Sequence, residues 1–461
     1  MTVFLRRLRR LFSKHRKMVL FTIITCVLLY LVFGVNLRRH SIYQRKHQAA
    51  EAYLSTPCVD ALLHRDIDTV GLHPHFVPLA RLLSFRTRNL SGGNDINIIT
   101  EGREKQAMLM DDIRNAKDYI HVEYFHFGID KGARAIKQLL EEKARQGVKV
   151  RFINENIANI PIPNIYYKSM RRHGVEVRNF TPFTKGAIRY LTHLNYRDHR
   201  KTIVIDGKVA YTGGMNINDH YFDQWRDTHL RLTGDAVAML QAAFIDMWMM
   251  TGGQLDKPAD YYFPYPSQKV PTPSTYTFDD KQVQVVADDP FADVRTAQLA
   301  YEWVLQNARE HVYIQTPYLA PPERVLTAMK EASRRGVDVV VMLPRKTDHP
   351  LLRSTNRAYY EECLQAGIRL LLREGEFIHS KTFECDDYLS MIGTSNLDMR
   401  SMELCYETNT YIYDHDVALT NKQIFLDDLS ICQELTLDEW QHRPRWQRPL
   451  ERLFRRFAHL L

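Results

Sequence analysis

The sequence predicts an α/β protein: two homologous α/β lobes packed as a pseudo-two-fold pair, preceded by one N-terminal transmembrane helix. Three observations predict it. Strand-like and helix-like patterns alternate twice in the same order, one polar residue set recurs in both halves at an offset of 180 positions, and 18 uncharged, mostly apolar residues stand near the N-terminus.

Residues 1–17 form a basic segment with seven Lys and Arg. Residues 18–35 carry no charge and as a helix would extend about 27 Å, close to the hydrocarbon thickness of a bilayer. A cleaved signal peptide is the alternative. Its apolar region is shorter and small residues follow it, whereas Asn36-Leu37-Arg38-Arg39 follows here. The larger basic cluster precedes the span, which favours a cytoplasmic N-terminus and a body on the outer face.

Residues 36–94 read as linker and lead-in. The first lobe, 95–251, opens with a strand at 95–99. A helix at 103–116, a strand at 119–125, a helix at 133–145 closed by Gly147 and a strand at 148–153 follow. A connection at 252–281 carries Pro258, Pro264, Pro266, Pro271 and Pro273 and reads as loop. The second lobe, 282–437, repeats the order: strand 282–286, helix 294–308, strand 311–315, helix 323–335 closed by Gly336, strand 337–343. The last segment, 438–461, is a basic amphipathic helix with Leu450, Leu453, Phe454, Phe457 and Leu461 on one face. It either packs that face on the body or lies on anionic lipid with its arginines at the phosphates.

Six cysteines in 461 residues, none in a C-x-x-C pair, exclude a disulfide scaffold and a zinc ribbon. The net charge of +8 is unevenly spread: residues 1–50 carry +11 and residues 438–461 carry +3, which leaves −6 for the body. An acidic body argues against nucleic acid as a partner, and positive ends point to a membrane surface.

Each half carries H-x-K-x-x-x-x-D. The first copy is His199, Lys201 and Asp206; the second is His379, Lys381 and Asp386. The echo continues through Gly213-Gly214-Met215-Asn216 and Gly393-Thr394-Ser395-Asn396. Asp227 and Glu407 each lie 28 residues past the His of their own half. One copy would arise by chance at roughly one position in ten thousand, but two copies at equivalent places in a duplicated chain point to use. Residues i and i+2 of a strand share a face, so each His and Lys project together. A two-fold arrangement can gather both pairs in one cleft. Lysines and the Asn216 and Asn396 amides suit the non-bridging oxygens of a phosphodiester. One His can attack phosphorus while the other protonates the leaving alcohol, and Asp227 and Glu407 can each orient an imidazole. Lysine supplies the positive charge, so no metal or other cofactor is expected. His121 and Glu123 share a strand face, and Glu123 aligns with Gln315. It is either a polar substrate-side group or simply solvated.

The doubled motif with its trailing G-[GST]-x-N resembles the phospholipase D superfamily and, within it, the bacterial cardiolipin synthases. Trp225-Arg226-Asp227-Thr228-His229 and Gln315-Thr316-Pro317-Tyr318 add to the likeness. The resemblance implies two phospholipase D-like lobes, a phosphohistidine intermediate, His199 as nucleophile and His379 as general acid and then base. It places Asp206 and Asp386 in the motif set as structural supports. It also implies phosphatidylglycerol as substrate and a bacterial inner membrane location. Many relatives carry Ser after the motif Gly, where Gly214 and Thr394 stand here, so Gly214 offers no hydroxyl. A phosphatidyl transferase and a phospholipase hydrolysing to phosphatidic acid share all these residues and both stay open. The acidic body and the anchor argue against a nuclease of the superfamily, and two intact sets argue against a non-catalytic membrane protein.

Overall fold

The computed structural model of the chain describes residues 35–63, 69–84, 90–180, 196–264, 269–444, 446–456 and 458. The basic segment and the apolar run expected to span a membrane lie outside these residues, apart from Val35. Among the described residues, no helix is long and apolar enough to cross a membrane.

The expected alternation forms. β1 (Ser91–Ile99) leads through helix Gly102–Asn115 to β2 (Tyr119–Tyr124), then through helix Lys131–Arg145 to β3 (Lys149–Glu155). Gly147 closes that helix at φ +98° and Gly336 closes its counterpart at φ +94°, a conformation costly to other residues. Helix Asn164–Arg172 and β4 (Glu176–Phe180) follow. The short β5 (Arg197–Asp198) precedes β6 (Lys201–Ile205), β7 (Val209–Gly213), β8 (Trp225–Arg226) and β9 (His229–Thr233). The second half runs through β10 (Tyr276–Asp288), β11 (His311–Gln315), β12 (Leu319–Ala320), β13 (Asp338–Pro344), β14 (Arg369–Arg373) and β15 (Phe377–Ile378). It ends with β16 (Thr382–Cys385), β17 (Leu389–Gly393), β18 (Leu397–Asp398), β19 (Cys405–Tyr413) and β20 (Cys432–Leu435). β10 starts inside the stretch read as loop from its prolines. Past Pro273 the prolines stop, and Tyr276, Thr277 and Phe278 pair with Ile98, Asn97 and Ile96 of β1.

Most of these strands join one mixed sheet in the order β20-β14-β13-β11-β16-β17-β19-β10-β1-β9-β7-β6-β2-β3-β4, with β5 beside β19, while β12–β18 and β8–β15 form separate pairs. Apart from β20, the order is palindromic about the antiparallel β10–β1 pair, so every other strand in it has a counterpart in the opposite half. Helix Ala236–Met250, buried on nearly every side, lies in a core with Val283, Val285, Ile392 and Ile412 from the middle of the sheet. Helix Val35–Leu54 covers it. Lys46 Nζ donates to the Met250 carbonyl at 2.6 Å, and His47 Nδ1 lies 2.8 Å from Asp246 Oδ1. That hydrogen bond holds the His47 pKa up at about 9.

Asp206 and Asp386 sit just past the ends of β6 and β16, in turns at φ +52° and +51°. Asp206 accepts from the backbone N–H groups of Lys117, Asp118 and Tyr119, each at 2.8 Å. Asp386 does the same for Arg309, Glu310 and His311 at 2.8, 2.9 and 3.0 Å. Each carboxylate thus caps the start of a central strand, about 16 Å along its own strand from the motif Lys. Expected in the motif set as structural supports, the two carboxylates hold the backbone at the start of β2 and of β11. Asp206→Ala or Asp386→Ala leaves three N–H groups without an acceptor and is expected to cost roughly 3 kcal/mol in chemical denaturation. The protein that remains folded should keep turnover within about threefold of the parent; loss of turnover without loss of stability would return these residues to the chemistry.

Candidate active site

The two motif histidines meet because short strands cross between the halves. β5 of the first half pairs in parallel with β19 of the second, and β15 of the second pairs with β8 of the first. The next residue in each case is the histidine. His199 N–H donates to the Tyr406 carbonyl at 2.9 Å, and His379 N–H to the Arg226 carbonyl at 2.7 Å. Each histidine is thereby set beside the carboxylate of the other half. Nδ1 of His199 is 3.0 Å from both Glu407 oxygens, and Nδ1 of His379 is 2.8 Å from Asp227 Oδ2. A carboxylate beside Nδ1 places the proton there and leaves the Nε2 lone pair for the cavity. The sequence offered these carboxylates as orienting groups, and the structure adds that each serves the opposite half.

Lys201 Nζ donates to the His199 carbonyl at 2.8 Å. Lys381 Nζ lies 2.7 Å from His379 Nδ1, whose proton points to Asp227, and so it donates to the His379 carbonyl instead. Each ammonium group keeps N–H bonds for an anion. Asn216 Oδ1 accepts from the His126 N–H at 3.1 Å, and its amide donates to Tyr221 Oη at 2.8 Å. Tyr221 Oη in turn lies 3.4 Å from His379 Nε2. Asn396 Oδ1 is buried without a hydrogen-bond partner among the described residues.

Gly214 has a steric reason. A Cβ there would stand 2.0 Å from Asp227 Oδ1. In the other half the acid is the longer Glu407, and Thr394 Oγ1 donates to it. The missing hydroxyl is therefore matched to the shorter acid, whose Oδ1 accepts from the Thr228 N–H at 2.7 Å.

Both histidines, Asn216 and Asn396 line one cavity of about 200 Å³. Phe125, Tyr221, Trp225, Tyr318 and Leu352 form its walls, with Arg197 and Arg400 at its edge. Sequence reasoning missed Tyr221, Arg197, Arg400 and Asp348. They lie outside the motif, and only the repeat offset, which sets Tyr221 against Ser401, marks one of them. Burial and the surrounding cations, Lys201 first, hold His199 well below the ordinary imidazole range. Burial and Lys381 bring His379 to about 3. Burial lowers Lys201 to about 8 and Lys381 to about 7, and raises Glu407 to about 7.

Glu123 is neither on the substrate side nor solvated. It is fully buried against Asp198, with Arg200 Nη1 at 3.7 Å. His121 is buried between Phe244 and Tyr119 and lies beside Gln241. Among the described residues one group has metal-ligand geometry, His311, Glu384 and Asp387, beside the strand cap at Asp386. Lys422 Nζ already stands 2.8 Å from Asp387.

A family profile described as "Cardiolipin synthase, PLD-like domain" matches residues 109–248 and 303–429. The cardiolipin synthase of Geobacillus kaustophilus is 33% identical over 447 residues, which cover 94% of this chain and 86% of that protein. The major cardiolipin synthase ClsA of Bacillus subtilis is 31% identical over 94% of this chain and 90% of its own length. In fold, the chain is similar to phosphatidylserine synthase of Haemophilus influenzae. The TM-score is 0.59 at 15% identity, over 79% of this chain and 93% of that one.

The lysine shifts set a sign. A lowered ammonium pKa means charge present below it and lost above it. Binding of a tetrahedral anion such as tungstate, followed by calorimetry, is expected to weaken as pH rises through 7 and 8, by about tenfold for each ammonium lost. Constant affinity from pH 6 to 9 would contradict anion binding by these lysines.

Proposed function

The chain belongs to the cardiolipin synthase family of phospholipase D-like proteins, and from that membership we propose that it transfers a phosphatidyl group between two phosphatidylglycerols, giving cardiolipin and glycerol. The observation that carries the chemistry is the convergence of two carboxylate-oriented imidazoles on one cavity. His199 Nε2 attacks the donor phosphorus, the bond to the departing glycerol oxygen breaks, and His379 Nε2–H supplies that oxygen with its proton. Burial and Lys381 favour the unprotonated form of His379. The negative charge of an entering phosphodiester raises its pKa towards the working range. His379 then takes the hydroxyl proton of the second phosphatidylglycerol, whose oxygen displaces His199 from phosphorus. Lys201, Lys381 and the Asn216 and Asn396 amides bind the non-bridging oxygens.

His199 suits the nucleophile because Arg197 and Arg400 add to the positive field around it, which keeps it neutral and draws in the phosphate. His379 suits the acid because Tyr221 and Trp225 enclose it and Asp227 stabilises its charged form. Apolar walls favour an alcohol borne on a lipid over water as the second nucleophile. That supports transfer over the alternative, hydrolysis to phosphatidic acid. The halves of the sheet are read as two homologous phospholipase D-like lobes. Residues 18–35 are read as a single span holding the body at a cell membrane, with its outer face favoured.

His199→Ala and His379→Ala should each lower turnover of phosphatidylglycerol vesicles by at least roughly a thousandfold, read as cardiolipin by mass spectrometry. With a phosphatidyl ester of a leaving group that needs no acid, His379→Ala alone should still trap label, on His199. Label on His379 would exchange the two roles, and phosphatidic acid as the main product would favour the hydrolase. EDTA should leave activity intact, and loss restored by one divalent ion would overturn the metal-free mechanism.

A further inference from the structure

The C-terminal helix is mounted with its charged side inward. Helix Gln447–Arg456 packs along helix Pro350–Gln365 through Glu451, which is buried and accepts from Arg357 Nε at 3.2 Å and Arg443 Nε at 3.1 Å. On the face expected to be apolar, Leu450 and Leu453 stay open and Phe454 is half-buried. Trp446, Leu450 and Leu453 are 68%, 44% and 52% exposed, while Phe457 and Leu461 lie outside the described residues. Packing through the apolar face, one of the two readings from sequence, does not occur at Leu450 and Leu453.

Beside this face lies a cavity of about 400 Å³ that the chemistry above does not use. Arg345, Arg353, Arg357 and Arg443 line it, and no acidic residue does. Trp440 forms its floor. The guanidinium groups of Arg357 and Arg443 stand 4.6 and 4.2 Å from its ring centroid, and its buried Nε1–H has no hydrogen-bond partner among the described residues. Glu451 and Glu361, which pair with Arg357 and Arg443, and Glu374, which pairs with Arg345, lie outside the lining. Four guanidinium groups, and a buried donor with no partner among the described residues, line one cavity whose wall holds no acid, a lining that suits an anion. Gln447 lines this cavity at the foot of the apolar face. Asp348, Leu352 and Arg353 connect it to the active site, since the first two line the catalytic cavity and the third lines this one. Leu351, between them, is exposed.

We propose that this cavity binds the phosphate headgroup of an anionic phospholipid in the bilayer while Trp446, Leu450, Leu453 and Leu351 enter the acyl boundary, docking the second half with its catalytic mouth on the membrane. The proposal rests on the phospholipid reading of the active site. An apolar rim around a cationic cavity fits a bilayer lipid, which presents a phosphate and an apolar layer together, rather than free phosphate. Arg345 and Arg353 are the groups to change, because Arg357 and Arg443 hold the buried Glu451 in place, whereas the Glu374 partner of Arg345 is exposed.

The test uses the full chain. In mixed micelles of a non-ionic detergent and phosphatidylglycerol, Arg345→Gln with Arg353→Gln should raise the apparent KM, in mole fraction, by roughly thirtyfold, as expected for two basic groups removed from an anionic surface. The kcat should hold, and so should turnover of a short-chain phosphatidylglycerol dissolved as monomers. Unchanged KM, or an equal loss on the monomeric substrate, would overturn the proposal. Docking is read separately from catalysis in His379→Ala protein reconstituted in vesicles. Brominated phosphatidylglycerol should quench the emission that Trp446→Phe removes, and absence of that quenching would also overturn it. If the parent forms no cardiolipin while Trp446 is quenched, the reading of the reaction fails and the docking surface stands.

Discussion

The site depends on an exchange of carboxylates between halves. Asp227 and Glu407 are fully buried, and a buried carboxylate is tolerated only with partners. Each finds an imidazole of the opposite half, so neither half can complete its own histidine. The two-residue pairings β5–β19 and β8–β15 make this possible by carrying each motif into the other half's territory. The β1–β10 pair fixes the distance over which they reach. Breaking a buried pair of this kind by removing one member typically costs about 3–5 kcal/mol, so the constraint acts on folding as well as on chemistry.

Within a duplicated frame, the two sides of the cavity have diverged in kind. His199 has Arg197 and Arg400 in its field and the edge of Phe125 against its ring, whereas His379 has both Tyr221 and Trp225 around it. Both imidazoles feel the lysines, but the arginines add to the field at His199 and the larger aromatic enclosure is at His379. The second layer diverged with them: Gly214 stands where Asp227 is short, and Thr394 bonds Glu407 where the acid is long. A chain built from two copies of one motif thus presents two different imidazoles to a single phosphorus.

Much of this was legible in the sequence because duplication doubles every signal. The alternating patterns located β1 to β3 and β10, β11 and β13 to within a few residues, except the start of β10. That strand begins at Tyr276, where pairing with β1 outweighed the proline-rich stretch before it. The motif named His199, Lys201, His379 and Lys381, and all four are buried at the site. Spacing could not say which carboxylate serves which histidine. Counting 28 residues onward from each His suggests a partner in the same half, whereas the crossing is made by two-residue strands too short to leave a pattern. Glu123 misled for a related reason: a polar residue on a strand face reads as exposed, but here Arg200 and Asp198 share its burial. The C-terminal helix shows the limit of periodicity, which finds an apolar face without saying which face packs.

The crossed pairing is tested most directly by double-mutant cycles on kcat, using His379→Asn and His199→Asn each combined with Asp227→Asn and with Glu407→Gln. Residues in contact act as a unit, so the account predicts strong non-additivity for His379 with Asp227 and for His199 with Glu407, and near-additivity for His199 with Asp227 and His379 with Glu407. Coupling confined to the pairs within each half would contradict it.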